Sequence, residues 1–365
     1  MNAMNQPEVV VITGAGAGLG RAIVQAFARR GARIGLVARG RDRLEDARRE
    51  VQDLGGQALV LPGDVADPAT AEEAAARTED AFGPLDIWVN DAMTTVFSPV
   101  AEMTPEDYRR VTEVTYLGFV YGTLAALKRM RPRDRGTVVQ VGSALAYRSI
   151  PLQSAYCAAK HAMLGFTDSL RTELIHDGSR VRVTVVHMPA INTPQFSWCK
   201  SRMPRKAQPV PPIFQPEVCA NAVYWAAHQR HREVLVGWPT FRAIWAQRLV
   251  PGLADHLAAR MAWDGQMYDG SVDADQPTDL YQPVPGHQSA HGAFDARARS
   301  SSWEFDLTMN ASRVATVLSD IAGTAVRILS SRREPDASGR STSSIGARWA
   351  AVRSVWPRES ARSRS

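Results

Sequence analysis

Residues 9–21 read Val-Val-Val-Ile-Thr-Gly-Ala-Gly-Ala-Gly-Leu-Gly-Arg, and this stretch decides the fold. A β-branched run that passes directly into closely spaced glycines predicts a buried strand followed by a sharp turn. The amphipathic pattern that comes next indicates a helix, whose N-terminus offers unpaired N–H groups and a positive dipole end to an anion. The spacing is Gly-x-x-x-Gly-x-Gly and departs from the simpler G-x-G-x-x-G register. We predict that this turn binds a dinucleotide through Thr13, Gly14, Gly18, Leu19 and Gly20.

Short β-branched runs alternate with longer helical patterns as far as about residue 240. Several runs are apolar almost throughout, as expected for strands covered on both faces of a sheet. The alternation predicts an α/β fold with a doubly wound, Rossmann-like parallel sheet of about seven strands and a C-terminal extension. The predicted strands are Glu8–Thr13, Arg33–Ala38, Ala58–Pro62, Leu85–Asn90, Thr137–Val141, Val181–His187 and Glu233–Val236. The predicted helices are Gly20–Arg30, Arg41–Leu54, Pro68–Phe82, Pro105–Met130, Ala155–His176 and Pro216–His228.

The sequence pattern changes near Pro251. We predict a dinucleotide-binding and catalytic domain over residues 1–250 and an irregular extension over residues 251–310. Apolar residues then recur at helical spacing, which predicts one amphipathic helix over residues 311–329. Residues 330–365 form a basic Ser- and Arg-rich tail with the composition of a disordered segment. The amphipathic helix either docks on its own domain or binds a partner or a membrane surface.

The formal charge of +6 is concentrated at the C-terminus, because residues 330–365 hold eight arginines and three acids, a net +5. A nearly neutral remainder predicts no nucleic-acid partner. The first residues lack a charged-then-apolar leader, and no window is apolar for long enough to span a membrane, so we expect a cytoplasmic protein. Peripheral membrane association through the C-terminal helix and tail is the alternative. Three cysteines without a C-x-x-C pair predict no metal site and no disulfide framework.

The end of the second predicted strand indicates which dinucleotide is bound. A carboxylate at this position would accept hydrogen bonds from the ribose 2′-OH of NAD, whereas an arginine can hold the 2′-phosphate of NADP. Here Ala38 carries no carboxylate and Arg39 follows it, with Arg41 as a second candidate. The pattern therefore predicts NADP in preference to NAD. The alternative is that these arginines only open a solvated helix.

Tyr156 and Lys160 are spaced i and i+4, which places them on one helix face. An ammonium near a phenol stabilises the phenolate and lowers its pKa towards the range useful for acid–base catalysis. Ser143 lies at the end of the fifth predicted strand, where a doubly wound sheet exposes reactive groups. We predict that these three residues form a catalytic group in which the serine hydroxyl bonds a substrate oxygen.

In this order and spacing the motifs resemble the classical short-chain dehydrogenase/reductase family over about residues 7–240. The resemblance implies an NAD(P)-dependent enzyme that moves hydride between the nicotinamide and a carbonyl/alcohol pair. In it Tyr156 exchanges the proton, Lys160 binds the nicotinamide ribose and Ser143 orients the substrate. It also implies a homo-oligomer paired through the helix of Tyr156 and Lys160. The other implied cofactor residues are Asp64 and Val65 at the adenine, Asn90 and Ala92 along the cofactor, and Pro189, Ile191 and Thr193, with Thr193 on the carboxamide.

The chain departs from the family pattern at three places. The family's Asn-Asn-Ala-Gly is Asn90-Asp91-Ala92-Met93 here, and its Pro-Gly pair is Pro189-Ala190. The asparagine that positions a water in the family's proton relay falls at Thr115. We count Thr115 among the catalytic residues, because its hydroxyl could hold that water by a different bond. A weakly catalytic NADP-binding sensor or scaffold protein is the alternative function.

The segment from residue 191 to residue 212 is long for a connection, as lids and specificity elements often are. It contains Phe196, Trp198 and Met203. We predict that this segment forms an apolar pocket for a small-molecule carbonyl or alcohol substrate. The alternative is that its aromatic side chains only pack on the domain.

Overall fold

Seven parallel strands form the central sheet of this computed structural model, which describes residues 7–272 and 276–310. Across the sheet the order is β7-β6-β5-β4-β1-β2-β3, so the α/β doubly wound prediction is confirmed. Each predicted strand is present, with its ends displaced by at most two residues. The strands are β1 (Val9–Thr13), β2 (Arg33–Ala38), β3 (Gln57–Pro62), β4 (Ile87–Asn90), β5 (Thr137–Ser143), β6 (Arg182–Met188) and β7 (Glu233–Leu235).

Helices cover both faces of the sheet. Along β1, Val10 and Ile12 pack into one apolar cluster while Val9 and Val11 pack into another, because successive side chains of a strand point to opposite faces. All four side chains are essentially buried, and each contributes on the order of 1.5–3 kcal/mol of apolar burial. The covering helices are α1 (Gly18–Ala28), α2 (Arg41–Asp53), α3 (Pro68–Phe82), α4 (Pro105–Thr112), α5 (Gly118–Met130), α6 (Ser154–His176) and α7 (Pro216–His228).

The single helix predicted over Pro105–Met130 is interrupted. Between α4 and α5 the backbone forms a π-helical turn over Glu113–Leu117. Such a turn carries one extra residue and is frequent at functional sites. The apolar periodicity continues through it, so the sequence pattern could not distinguish it from regular helix. The turn brings Thr115 towards the segment that follows β4.

Beyond β7 the chain adds α8 (Trp238–Leu249), α9 (Pro251–Leu257), a short α10 (Trp263–Gly265) and α11 (Trp303–Met309). Two short strands join this region to the segment after β6: Met267–Ser271 pairs with Arg205–Ala207, and Ala298–Arg299 pairs with Ile213–Phe214. The chain as far as Met309 forms one compact unit. The domain boundaries inferred from composition stay a prediction. The predicted helix at 311–329 and the tail at 330–365 lie outside the described residues.

Helices long and apolar enough to cross a lipid bilayer do not occur in residues 7–272 or 276–310.

Candidate active site

The glycine turn after β1 is built for close backbone approach. Gly14 and Gly18 have φ angles of 77° and 57°, a backbone conformation that residues with a side chain rarely adopt. A Cβ atom at Gly20 would lie 2.1 Å from the carbonyl oxygen of Gly14, so only glycine fits there. The Thr13 hydroxyl accepts hydrogen bonds from the backbone N–H groups of Asp91 and Ala92 at 3.0 and 3.2 Å. The turn is thereby fastened to the end of β4, and α1 starts from it.

A cleft opens at the carboxyl ends of β1, β4, β5 and β6, and most of the predicted site residues line it. They are Gly14, Gly18, Leu19, Arg39, Asp64, Val65, Ala92, Ser143, Tyr156, Lys160, Pro189, Ile191 and Thr193. Four predicted residues do not line it, namely Thr13, Gly20, Asn90 and Thr115. Thr13 and Gly20 shape the glycine turn from behind.

Asn90 faces the interior and not the cleft. Its amide nitrogen donates to the backbone carbonyl of Phe119 at 3.2 Å and to the side chains of Thr123 and Gln140 at 3.1 and 2.9 Å. Its amide oxygen accepts from the Trp88 indole at 2.7 Å. The Asn90 side chain therefore does not line the cleft, and contact of this residue with a cofactor stays a prediction. Side chains alternate along a strand, and this one points towards the junction of β4, β5 and α5.

The hydroxyl of Thr115 is committed to the backbone of Thr94. It donates to the Thr94 carbonyl at 2.8 Å and accepts from the Thr94 N–H at 3.0 Å, and the side chain is fully buried. These two bonds tie the π-helical turn to the loop after β4. A role for Thr115 in a proton relay stays a prediction, and its visible contacts are those of a residue that positions this loop.

Ser143, Tyr156 and Lys160 come together at the carboxyl end of β5. The Lys160 ammonium is buried, donates to the Val141 carbonyl at 2.7 Å and lies 5.6 Å from the centre of the Tyr156 ring. Ser143 and Tyr156 both line the cleft here, and the Ser143 hydroxyl acts to lower the pKa of Tyr156. The end of β5 and the first two turns of α6 thus bring a hydroxyl, a phenol and an ammonium to one cleft.

The pKa of Tyr156 is raised well above its ordinary value, opposite to the direction expected from the neighbouring lysine. Burial of the phenol is the largest cause, and the hydrogen bond with Ser143 acts in the lowering direction. Desolvation of the charged form thus sets the direction of the shift. Tyr156 is consequently a neutral phenol that carries its proton at physiological pH.

Asp91 is a site residue whose function the sequence did not reveal. It lines the cleft, and its carboxylate approaches the glycine turn, since Cβ atoms at Gly14 or Gly20 would lie 3.0 and 2.8 Å from it. Burial raises the pKa of Asp91 and lowers that of Lys160, while the opposite charge of each partner reduces both shifts. Asp91 therefore helps to keep Lys160 protonated.

Replacing Asp91 with Asn should shift the pH profile of the reaction. Without the carboxylate the pKa of Lys160 falls further, so its ammonium form is lost at lower pH. For the carbonyl reduction that the sequence predicts, we expect kcat/KM to begin its decline about one pH unit lower than in the wild type. Superimposable pH profiles of the two proteins would contradict this. The charge-matched control is Asp264→Asn, because the Asp264 carboxylate is 74% exposed.

Two arginines, Arg39 and Arg43, lie at the far end of the cleft from Tyr156. Arg43 takes the place that the sequence suggested for Arg41, whose side chain is 67% exposed and faces Glu45. Because α2 begins at Arg41, the third residue of its first turn points back to the cleft. Asp64 lies on the same side, fixed by the guanidinium of Arg110 at 2.5 Å.

The segment after β6 packs mainly on the domain. Met203 belongs to an apolar cluster with Phe97 and Met267, and Phe196 packs against that cluster. Trp198 lies instead beside the cofactor cleft, where the Arg43 guanidinium stacks over its ring at 4.8 Å. These contacts agree with the alternative in which the aromatic residues of this segment pack on the domain.

Residues 279–290, here called the crossing segment, run over the cleft. Asp279 and Pro283 line it. The backbone carbonyl of Ser289 accepts a hydrogen bond from the N–H of Gly18 in the glycine turn at 3.0 Å. The sequence does not predict that this segment covers the cleft. Its composition is irregular, and no periodic pattern connects Asp279 with Arg39, 240 residues earlier in the chain.

Comparison with known families and proteins gives consistent matches. A family model described as short chain dehydrogenase matches residues 8–202. An uncharacterized oxidoreductase of Bacillus subtilis, YxnA, is 30% identical over 276 residues, covering 75% of this chain and 78% of its own. Dehydrogenase/reductase SDR family member 7B of Mus musculus is 36% identical over 51% of this chain, which spans 58% of the mouse protein.

Among solved structures, an alcohol dehydrogenase from the archaeon Thermococcus sibiricus, complexed with 5-hydroxy-NADP, is similar in fold with a TM-score of 0.55. The sequences are 28% identical, and the match covers 63% of this chain and 96% of the archaeal one. The similarity therefore extends over nearly the whole of a dehydrogenase and leaves about a third of this chain outside it.

Proposed function

The chain belongs to the short-chain dehydrogenase family and is an NAD(P)-dependent oxidoreductase; from this premise we propose that it uses NADP to interconvert a small carbonyl compound and its alcohol. The grouping of Ser143, Tyr156 and Lys160 in one cleft with the glycine turn carries the proposal. The 5-hydroxy-NADP bound by the archaeal dehydrogenase supports the choice of cofactor.

The residues of the cleft fit a dinucleotide. Cβ atoms at Gly14 and Gly20 would lie 3.0 and 2.1 Å from backbone atoms, so side chains there would crowd the turn. The N-terminus of α1 begins at this turn, and a pyrophosphate would bind N–H groups other than that of Gly18, which donates to the Ser289 carbonyl. Asp64 and Val65 lie where an adenine would rest at the ends of the strands. Thr193 and Pro189 approach from β6 on the other side of the cleft.

Tyr156 would transfer the proton. As a neutral phenol it can donate its proton to the oxygen of a carbonyl during reduction, which leaves a phenolate, and in the reverse direction the phenolate takes the proton of the alcohol. Lys160 stabilises the negative charge on the phenol oxygen as the proton leaves. Ser143 orients the substrate oxygen towards Tyr156. NADP, when bound, supplies or accepts the hydride.

Several apolar residues line the cleft. Met93, Val114, Met188 and Ile191 line it. Apolar walls exclude water and favour a substrate with an apolar body, with its orientation fixed by a few polar groups. We therefore propose an apolar carbonyl or alcohol as the substrate class.

Arg39 should decide the preference for NADP. Its replacement with Ala removes a charge-assisted contact to the 2′-phosphate, so we expect NADPH to bind at least roughly tenfold more weakly, with little change for NADH. Calorimetric Kd values for both nucleotides test this. Arg41→Ala is the matched control, because Arg41 carries the same charge two residues away but is largely exposed. If Arg39→Ala lost the same affinity for NADH as for NADPH, the assignment of Arg39 to the 2′-phosphate would be contradicted.

A weakly catalytic NADP-binding sensor or scaffold is the second candidate. The commitment of the Thr115 hydroxyl to Thr94 favours it, since that hydroxyl is then not available for a relay water. Tight NADPH binding without turnover of any ketone or aldehyde in a broad panel would support it.

Pairing of two copies through α6 also belongs to the proposal and rests on the family alone.

A further inference from the structure

The crossing segment places a carboxyl group among the arginines proposed to bind the 2′-phosphate. Backbone carbonyls of Asp279 and Leu280 accept hydrogen bonds from Arg39, and those of Val284 and Gly286 accept from Arg43. Asp279 lines the cleft together with both arginines, and its charge acts on both guanidinium groups. The chain itself thus supplies an anionic neighbour to the two cations.

Asp279 is held in this position from both sides of the cleft. Leu280 is fully buried in a cluster with Val96, Val111 and Ala155, and its carbonyl accepts from Nε of Arg110 at 2.8 Å. At the other end of the crossing segment Ala290 is 4% exposed within the main apolar cluster. The crossing segment is thus anchored by buried residues near its two ends, Leu280 and Ala290.

The carboxyl group is in a partly dehydrated setting. Burial raises the pKa of Asp279 to about 6, while the charges of Arg39 and Arg43 and a hydrogen bond from the Trp198 side chain act in the opposite direction. Most of the Asp279 population is therefore ionised at neutral pH. Charge interactions in such a place are stronger than on the open surface, because less water screens them.

We propose that Asp279 is a specificity-determining residue that weakens the binding of the 2′-phosphate and so narrows the preference for NADP over NAD. Its carboxylate repels the doubly charged phosphate that Arg39 and Arg43 attract. The 2′-hydroxyl of NAD can donate a hydrogen bond to the same carboxylate. The proposal rests on the proposed dinucleotide-binding function and concerns the ratio of the two affinities.

Titration calorimetry with NADPH and NADH tests the proposal on wild type, Asp279→Asn and Asp279→Ser. We expect both variants to bind NADPH roughly tenfold more tightly than the wild type, and NADH no more tightly. Asp264→Asn removes a charge from the same extension outside the cleft and should leave both affinities unchanged. If the ratio of NADPH affinity to NADH affinity were the same in the Asp279 variants as in the wild type, the proposed role of Asp279 would be overturned.

The change in this ratio is independent of which nucleotide the wild type prefers. A wild type that favours NADH would refute the NADP proposal, while a shift towards NADPH in Asp279→Asn would still support the role of Asp279. Failure of both nucleotides to bind any of the proteins would overturn both proposals.

A measurement on the unmodified chain guards against misfolded variants. If the phosphate and the carboxylate repel each other, NADPH should loosen the start of the crossing segment more than NADH does. The Asp279 N–H, which donates to the Trp198 carbonyl at 3.1 Å, should then exchange with deuterium faster in the NADPH complex. Identical exchange over residues 279–284 in the two complexes would count against the proposal.

Discussion

Replacing Tyr156 with Phe should lower kcat for carbonyl reduction at least about a hundredfold, which is the usual contribution of a positioned acid or base and corresponds to roughly 2.7 kcal/mol of transition-state stabilisation. The variant keeps the ring beside Lys160 and loses only the hydroxyl that carries the proton. Among the residues that the structure describes, no other tyrosine lines the cleft and could replace this buried, protonated phenol. NADPH affinity should be retained, since the glycine turn and Arg39 are untouched.

Tyr121→Phe is the matched control for this variant. Tyr121 is partly buried in α5, packs against an apolar cluster and does not itself line the cleft, so the same deletion there should leave turnover intact. Steady-state kinetics and NADPH titration of both variants separate catalysis from binding. Turnover at the wild-type rate in Tyr156→Phe would remove this residue from the mechanism.

Replacing Gly20 with Ala should abolish dinucleotide binding at useful concentrations. The new methyl group would lie 2.1 Å from the Gly14 carbonyl oxygen and 2.8 Å from the Asp91 carboxylate, so the turn itself must move. We expect NADPH affinity to fall at least about a hundredfold and the protein to lose roughly 1–3 kcal/mol of stability, as overpacked sites do. Calorimetry and thermal unfolding measure the two effects.

Gly165 offers a control for the same substitution. It lies in α6 and is exposed, and a methyl group added there would meet no heavy atom within 4 Å outside its own stretch of helix. Gly165→Ala should stabilise the helix by about 0.5–1 kcal/mol and leave NADPH binding unchanged. If Gly20→Ala bound NADPH as tightly as Gly165→Ala, the glycine turn would not be the phosphate site.

The parts of the site that could be predicted from sequence are those with a local pattern. The glycine turn follows its strand directly, and Tyr156 and Lys160 share a helix face by spacing alone. Ser143 is predictable because the end of a buried strand marks the reactive edge of a parallel sheet. In each case a few adjacent residues determine both the structure and the position of the side chain.

The parts that could not be predicted depend on side-chain direction or on distant contacts. Asn90 and Asp91 are neighbours, yet one faces the interior and the other the cleft, and the motif alone does not separate them. The π-helical turn has no mark in the apolar periodicity. Asp279 reaches Arg39 across about 240 residues of chain, through an extension without regular pattern.

The direction of the pKa shift of Tyr156 also could not be predicted from the sequence. Helical spacing correctly predicts an ammonium one turn away, but the direction of the shift depends on how deeply the phenol is buried. Burial is a property of the whole fold, and the spacing of two residues along one helix does not reveal it.

Deuterium transfer tests the central claim most directly. NADPH deuterated at the transferring position of C4 is incubated with the wild type and a panel of apolar ketones and aldehydes, and the alcohol products are analysed by mass spectrometry. The account predicts one deuterium on the carbinol carbon in the wild type and at least about a hundredfold slower labelling in Tyr156→Phe. Oxidation of NADPH without deuterium on carbon, or equal labelling by the two proteins, would contradict it.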